Sequence, residues 1–238
     1  MFVFIAFVIL ITLTAINDNL HSSREDWILD SVGLCFQGII IPLLQIIIVY
    51  QCQDFFPSFS AILHLHLLAA FFVSFVLVDY LYYWNHRLLH KWLWSVHQVH
   101  HTVTKMNVLG TSRNTLCSSF FIIYLWVHSL FIYLLKDPTW YLVGVSLTSA
   151  LDLWRHSEIN PNFLYRWLSP WLILPQDHAW HHASQDVGGN YGANLKIWDR
   201  IHNTYYEGVL SGQRSDGAPK YLGVKIKFSL KKKLFWPF

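Results

Sequence analysis

The sequence predicts an all-α protein, a multi-pass transmembrane helical bundle of four to five spans with a helical cap on the cytoplasmic side. Two observations support this fold class. Of the 238 residues, 54% are hydrophobic and only 13% are charged, about half the charge of a typical soluble domain. The apolar residues also form runs of membrane-crossing length, and most basic residues lie outside those runs.

The apolar runs define the expected spans, because a crossing helix needs about 20 mostly apolar residues. The stretch 1–16 is apolar but has no basic start and no A-x-A-like cleavage site. We interpret it as a short first span or an embedded helix rather than a signal peptide. The other expected spans are 31–50, 61–84, 116–135 and a shorter run at 139–154.

The positions of lysine and arginine predict the orientation. Of 17 such residues, all but Arg24 and Lys136 lie in the segments 85–115 and 155–238. Basic residues concentrate on the cytoplasmic side of membrane proteins. Both segments are therefore expected to face the cytoplasm, which places the protein in a bacterial inner membrane or, in a eukaryote, the endoplasmic reticulum.

Histidines gather at the predicted cytoplasmic ends of the spans. The spacing within each cluster is i, i+4 or i, i+3, i+4, which lines one face of a helix. One helix can supply several ligands to one metal ion in this way, as in the helical HExxH motif. The clusters are His86 and His90; His97, His100 and His101; and His178, His181 and His182, with His156 directly after the last span.

The number of histidines favours two metal ions. Nine imidazoles exceed what one ion binds and suit two ions with four or five ligands each. Imidazole is a ligand for iron, zinc, copper and nickel. The three cysteines are scattered and predict no thiolate site. We interpret the remaining histidines as interfacial bystanders: His21, His64, His66, His128 and His202.

Three ordered motifs give the chain a family resemblance. The segments DYLYYWNHRLLH, WSVHQVHH and HAWHH, the last followed by NYG and WDR, resemble the fatty acid hydroxylase/sterol desaturase superfamily of integral membrane enzymes. The resemblance implies a di-metal centre, two Fe ions in the active enzyme, that uses O2 as co-substrate to hydroxylate or desaturate lipids or sterols. Carried over by position, the ligands are His86, His90, His97, His100, His101, His156, His178, His181 and His182.

Two positions depart from the pattern of this superfamily. Thr115 stands where many relatives have a histidine, two residues after Arg113. Asn160 stands where relatives of the fatty acyl 2-hydroxylase type have a second histidine, four after His156. An amide oxygen binds hard metals weakly or through water, so Asn160 is a candidate outer ligand.

Four acidic residues are candidates to orient the imidazole ligands from behind, as carboxylates do in many metal sites. Asp79 and Asp152 lie inside apolar runs, where an acid is costly and usually paired. Asp177 adjoins His178, and Asp199 lies in the KIWDR segment. No catalytic residue beyond the metal centre is predicted.

The remaining sequence is typical of a membrane enzyme with external redox partners. We treat residues 1–238 as one membrane-embedded domain, with a motif core at 79–207 and a basic tail at 220–238 that suits anionic lipid headgroups. A net charge of +3 gives no support for nucleic-acid binding. The chain contains no haem-binding or flavin motif, so electrons are expected from a separate cytochrome b5-, ferredoxin- or reductase-type donor.

The predicted function is O2-dependent, di-iron hydroxylation of a lipid or sterol-like substrate. The alternative within the same family is desaturation of such a substrate. An alternative from another class is a metal-binding or metal-transporting membrane protein, although transporters place their ligands near the membrane midplane. Zinc is expected to replace iron on overexpression, since zinc binds imidazole sites more tightly than ferrous iron.

Overall fold

The computed structural model describes residues 2–17, 23–185, 188–208 and 217–236. Within these ranges the regular structure is helical, and β-pairing is limited to isolated bridges. The predicted bystander His21 lies outside the described residues. The all-α prediction is therefore confirmed for the described part of the chain.

The helices, numbered in chain order, vary widely in length. The helices Arg24–Phe55 and Leu67–Trp92 each contain one π-helical turn, at Phe36–Ile40 and Val73–Leu77 respectively. The helices are α1 Phe2–Ile16, α2 Arg24–Phe55, α3 Leu67–Trp92, α4 Trp94–His97, α5 Tyr124–Leu134, α6 Thr139–Arg155, α7 Asn162–Leu168, α8 Pro175–His181, α9 Lys196–Ile201 and α10 Leu230–Phe235.

Three helical segments are long and apolar enough to cross a membrane: Arg24–Phe55, Leu67–Trp92 and Leu116–Leu134. The last consists of a 3-10 turn and irregular residues leading into α5. Helix α6 has 17 residues and α1 has 15, so both are short for a full span. The total of four to five spans stays a prediction.

The predicted span 61–84 begins later than the sequence suggested. Its first residues are not helical, because Leu63 pairs with the chain after α5. The Leu63 amide donates to the Leu134 carbonyl at 2.8 Å, and the Lys136 amide donates to the Leu63 carbonyl at 3.1 Å. Hydropathy alone could not reveal this boundary, since the segment remains apolar outside the helix.

The bundle packs through small clusters between neighbouring helices. Ala70 and Val78 of α3 form one core cluster with Tyr141 of α6. Leu10 of α1 packs with Leu153 of α6 in another. Large apolar side chains on α2 face outward instead, for example Leu43, Ile46 and Ile47, as expected of a surface in contact with lipid.

Candidate metal centre

The nine predicted ligand histidines meet at one place in the fold. They form two adjacent groups, and within each group the candidate ligand nitrogens all lie within 4.8 Å of one another. The first group contains His86, His90, His97, His101 and His181; the second contains His100, His156, His178 and His182.

We call the histidines of the three motifs the first box (His86 and His90), the second box (His97, His100 and His101) and the third box (His178, His181 and His182). The first box lies entirely in the first group, whereas the second and third boxes divide their members between the two groups. In the second box the helix α4 ends at His97, and a 3-10 turn over His100–Thr102 follows. This break turns His100 toward the second group, while His97 and His101 join the first. The third box stays helical through His181, with His182 at the helix C-terminus. The expectation of one helical face for each box therefore fits the second box poorly.

The imidazoles are buried, and burial sets their charge. Burial lowers the pKa of His97, His101, His178 and His182 well below the ordinary value of 6.5, and it lowers the pKa of His100 to about 3. Neighbouring imidazoles add to the effect. These rings are therefore neutral at pH 7, which is the form that binds a metal ion.

Main-chain carbonyls fix the orientation of four rings. The Nδ1 atom of His86 lies 2.8 Å from the Tyr191 carbonyl oxygen. The Nδ1 atoms of three other rings make the same contact with a main-chain carbonyl oxygen: His100 with Arg113 at 3.1 Å, His156 with Asp152 at 2.8 Å and His181 with Gly189 at 2.9 Å. A carbonyl can only accept, so each Nδ1 carries the hydrogen. In the neutral ring the Nε2 lone pair is then free for a metal.

The Nε2 atoms point toward one another at the spacing of shared ligands. In the second group, the Nε2 atoms of His178 and His156 are 2.9 Å apart, and those of His156 and His100 are 3.4 Å apart. Two nitrogens bound at about 2.1 Å to one ion, in perpendicular directions, are about 3.0 Å apart. In the neutral form, His100 and His156 both face each other with lone pairs, which a cation between them would stabilise. The donor set therefore fits a metal centre.

Two of the predicted acidic residues hold the loop after Gly189, which supplies two of the four ring-facing carbonyls, those of Gly189 and Tyr191. Asp199 accepts hydrogen bonds from the amides of Tyr191 and Gly192, at 2.9 and 2.7 Å. Asp79 accepts from the amides of Asn194 and Leu195, at 2.7 and 3.0 Å, and from the indole of Trp198 at 2.8 Å. Both carboxylates thus act on the ring-facing loop and not on a ring.

The other two acidic residues have different surroundings. Asp152 lies 3.3 Å from Nδ1 of His156 and also accepts from Arg155 at 2.6 Å. Asp177 caps the start of α8, since its carboxylate accepts from the Leu174 amide at 2.8 Å. The buried Lys196 lies 2.9 Å from the Asp177 carboxylate. Asp177 therefore fixes the helix that carries the third box.

The structure also contains a supporting ion pair that the sequence did not predict. Arg113, whose carbonyl orients His100, is fully buried and binds both carboxylate oxygens of Asp30, at 2.6 and 3.0 Å. Asp26 lies 2.7 Å from the same guanidinium. The available signal was Asp30 itself, an acid at the edge of an apolar run, since such acids are usually paired.

An apolar cavity of about 940 Å³ leads to the histidines. Its lining includes Phe4, Phe7 and Leu34 of α1 and α2, and it reaches both histidine groups, at His86 and His100. Phe4 is exposed whereas both histidines are buried, so the histidines lie at the inner end. A cavity of this size accommodates a small hydrophobic molecule.

Comparison with known proteins identifies the family of the chain. A family model described as fatty acid hydroxylase matches residues 71–204. The chain belongs to the fatty acid hydroxylase family. No solved structure matches.

Curated relatives of this fatty acid hydroxylase family member are lipid-modifying enzymes by name. Alkylglycerol monooxygenase of Danio rerio is 32% identical over 56% of this chain and 30% of the relative. The human alkylglycerol monooxygenase is 31% identical over 56% of this chain and 29% of its own length. Ornithine lipid hydroxylase OlsE of Rhizobium tropici is 30% identical over 55% of this chain and 40% of its own length. The match thus covers less than half of each relative.

The positions that depart from the family pattern have clear surroundings. Thr115 is fully buried, and its hydroxyl accepts from the Ser118 amide at 3.2 Å, so it caps the 3-10 turn before α5. The amide oxygen of Asn160 is buried without a hydrogen-bond partner among the described residues. Its role as an outer ligand stays a prediction.

The described bystander histidines lie apart from the two groups. His64 and His66 are exposed, and His66 precedes α3 by one residue. This position is about 30 Å along the helix from His86. His202 lies beside Tyr80, 3.4 Å from its hydroxyl. The interfacial interpretation is wrong for His128, which is buried inside the bundle, 2.8 Å from the Tyr141 hydroxyl.

Proposed function

We propose that the chain is a membrane lipid hydroxylase in which the nine histidines hold two metal ions, iron in the active form. The overall reaction consumes a lipid C–H bond, O2, two electrons and two protons, and it yields the alcohol and water. The observation that carries the proposal is the position of two converging imidazole groups at the inner end of an apolar cavity.

The bound ions would supply the oxygen chemistry that side chains cannot perform on an unactivated C–H bond. The residues of this chain provide binding, orientation and exclusion of water. Carbonyls of Tyr191, Arg113 and Gly189 hold the rings of His86, His100 and His181 in one tautomer. The apolar wall of the cavity limits water near the centre and accepts the hydrocarbon part of a lipid.

The proposal includes the partners and the topology of the protein. Electrons come from a separate cytochrome b5-, ferredoxin- or reductase-type donor, and the substrate is a lipid or sterol-like molecule from the bilayer. Residues 1–238 form one domain with four to five spans, a motif core at 79–207 and a basic tail at 220–238. The histidine site faces the cytoplasm, which the concentration of basic residues around the boxes supports.

Oxygen-isotope incorporation tests the proposal. The iron-loaded protein in lipid nanodiscs is supplied with ¹⁸O2 and a reduced electron donor, and extracted lipids are analysed by mass spectrometry. We expect a product that gains one ¹⁸O atom, and none with His181→Ala. Products that lose two hydrogens without gaining oxygen would identify a desaturase. Metal uptake into sealed vesicles without lipid oxidation would support the transporter alternative.

A further inference from the structure

Helix α6 presents a polar stripe to the cavity. Thr148, Asp152 and Arg155 are spaced i, i+4 and i+7, which places them on one face of the helix. All three line the cavity beside the histidines. The hydroxyl of Thr148 is held by the Asn194 side-chain amide at 2.8 Å. This stripe interrupts a wall that is otherwise mainly apolar.

Arg155 has one nitrogen that makes no hydrogen bond within the part of the chain that the structure describes. Its side chain is only 4% exposed. The Nε and Nη2 atoms lie 3.2 and 2.6 Å from the same oxygen of Asp152. The third nitrogen, Nη1, is buried and has no hydrogen-bond partner among the described residues. Buried donors are almost always paired, so an unpaired guanidinium donor in a cavity wall points to a ligand.

This donor lies next to the metal-binding histidines. Arg155 directly precedes His156 in the chain. Its Nη2 atom lies 2.6 Å from an oxygen of Asp152, and the same oxygen lies 3.3 Å from Nδ1 of His156 in the second group. A ligand atom bound by Nη1 would therefore lie near the second histidine group.

We propose that Nη1 of Arg155 donates a hydrogen bond to an uncharged oxygen of the substrate, a hydroxyl, ether or ester carbonyl oxygen. This inference rests on the proposed hydroxylase function and specifies its substrate class. The oxygen is uncharged because Asp152, 2.6 Å from Nη2, already compensates the guanidinium charge. A carboxylate there would meet the negative charge of Asp152 as well as the positive charge of Arg155.

The direction of the substrate follows from the lining of the cavity. Phe4, Phe7 and Leu34 line the part of the cavity formed by α1 and α2, where Phe4 is exposed, and suit a hydrocarbon tail. The polar stripe lies at the histidine end. The substrate then enters with its oxygen first, and hydroxylation falls on a carbon near that oxygen and not in the middle of the tail.

Binding of matched lipids tests the assignment. Radiolabelled hexadecane, 1-hexadecanol, hexadecyl methyl ether and hexadecanoate are bound by equilibrium dialysis to metal-loaded protein in detergent. Arg155→Lys retains a charge beside Asp152 but removes Nη1. We expect this variant to lose about 10-fold or more in affinity for the alcohol and the ether, in line with a hydrogen bond to a charged donor. Its affinity for hexadecane should not change.

Two outcomes would overturn the assignment. If Arg155→Lys weakens hexadecane binding as much as alcohol binding, the residue has only a structural role. If hexadecanoate alone depends on Arg155, the site recognises an anion. The double variant Asp152→Asn/Arg155→Gln removes both charges, and its metal content reports whether the centre stays intact. If the wild type incorporates ¹⁸O, either of these binding results overturns the role of Arg155 and leaves the proposed hydroxylase function standing. If the binding selectivity is as expected but no ¹⁸O is incorporated, the proposed function is contradicted and the role of Arg155 is not.

Discussion

At the scale of single residues, main-chain carbonyls orient four of the nine rings of the histidine centre. The loop carrying Gly189 and Tyr191 supplies two of the four carbonyls that face Nδ1 atoms. Asp199 holds that loop by accepting hydrogen bonds from two of the loop's backbone amides. Asp199 therefore positions carbonyls that face the histidine rings, although it does not itself contact a ring.

Replacement of Asp199 tests this indirect support. Asp199→Asn places an amide NH2 where the carboxylate accepts backbone hydrogens, so the loop should shift. We expect metal affinity to fall by about 10- to 100-fold, the usual range for groups that orient ligands. The matched control is Thr204→Val, which removes the hydroxyl that donates to Asp199 at 2.7 Å. This variant should lower the metal affinity less than Asp199→Asn does. Competition with a chelator measures both affinities, and equal affinities in wild type and Asp199→Asn would contradict the role.

The convergence of the nine histidines was predictable from the sequence, whereas their hydrogen-bond partners were not. The i, i+3 and i+4 spacing identified eight of the imidazoles because helical geometry brings such residues together, and the position directly after a predicted span identified His156. The carbonyls of Arg113 and Tyr191 carry no side-chain signal. Arg155 gave no signal either, since its unpaired Nη1 becomes visible only once the side-chain positions are known.

At the scale of secondary-structure elements, α2 supports the segment that follows the second histidine box. Gly33 packs so closely on that segment that an added Cβ would collide with the backbone carbonyl of Ser112. Asp30, three residues earlier, binds the buried Arg113. The first long helix of the bundle thereby fixes a loop that orients His100.

Two glycines of α2 offer a matched comparison. Gly33→Ala should destabilise the protein by about 1–3 kcal/mol, because overpacking against backbone cannot be relieved by a side-chain rotation. Gly38→Ala has open space around its added Cβ and should be neutral or slightly stabilising, since alanine favours helix over glycine. Thermal unfolding in detergent measures both. Equal stabilities of the two variants would contradict the close packing.

The Asp30–Arg113 pair predicts a second effect on stability. Asp30→Ala leaves the buried guanidinium of Arg113 with a weaker partner. It should lower the free energy of unfolding by about 3–5 kcal/mol, as removal of one member of a buried pair does. Glu25→Ala removes a more exposed partner of Lys233 and should cost less than about 1 kcal/mol. Chemical unfolding in detergent compares them. A cost for Asp30→Ala no larger than that for Glu25→Ala would argue against the pair as a support of the site.

At the scale of the whole molecule, the histidine site requires the segments 85–115 and 155–185 to share one side of the membrane. The sequence predicted this arrangement from the distribution of basic residues. It could not determine how many helices cross, because α1 and α6 are short and pack on each other. Length and hydropathy do not distinguish a short span from an embedded helix.

Cysteine labelling tests the shared side and its orientation. Ser95→Cys and Ser184→Cys, each in a chain whose three native cysteines are replaced, should react with a membrane-impermeant reagent only from the cytoplasmic side. Reaction of both from the opposite side would reverse the proposed orientation. Reaction from different sides would contradict the common site itself.

The central claim is that the two histidine groups each hold one metal ion. Elemental analysis of the folded, purified protein tests it most directly, together with His181→Ala and His182→Ala, which are adjacent in sequence but belong to different groups. We expect two ions per chain in the wild type, fewer in each of these variants, and two in His64→Ala, whose side chain is exposed and outside both groups. One ion or none in the folded wild type, or metal loss in His64→Ala but not in His181→Ala, would contradict the claim.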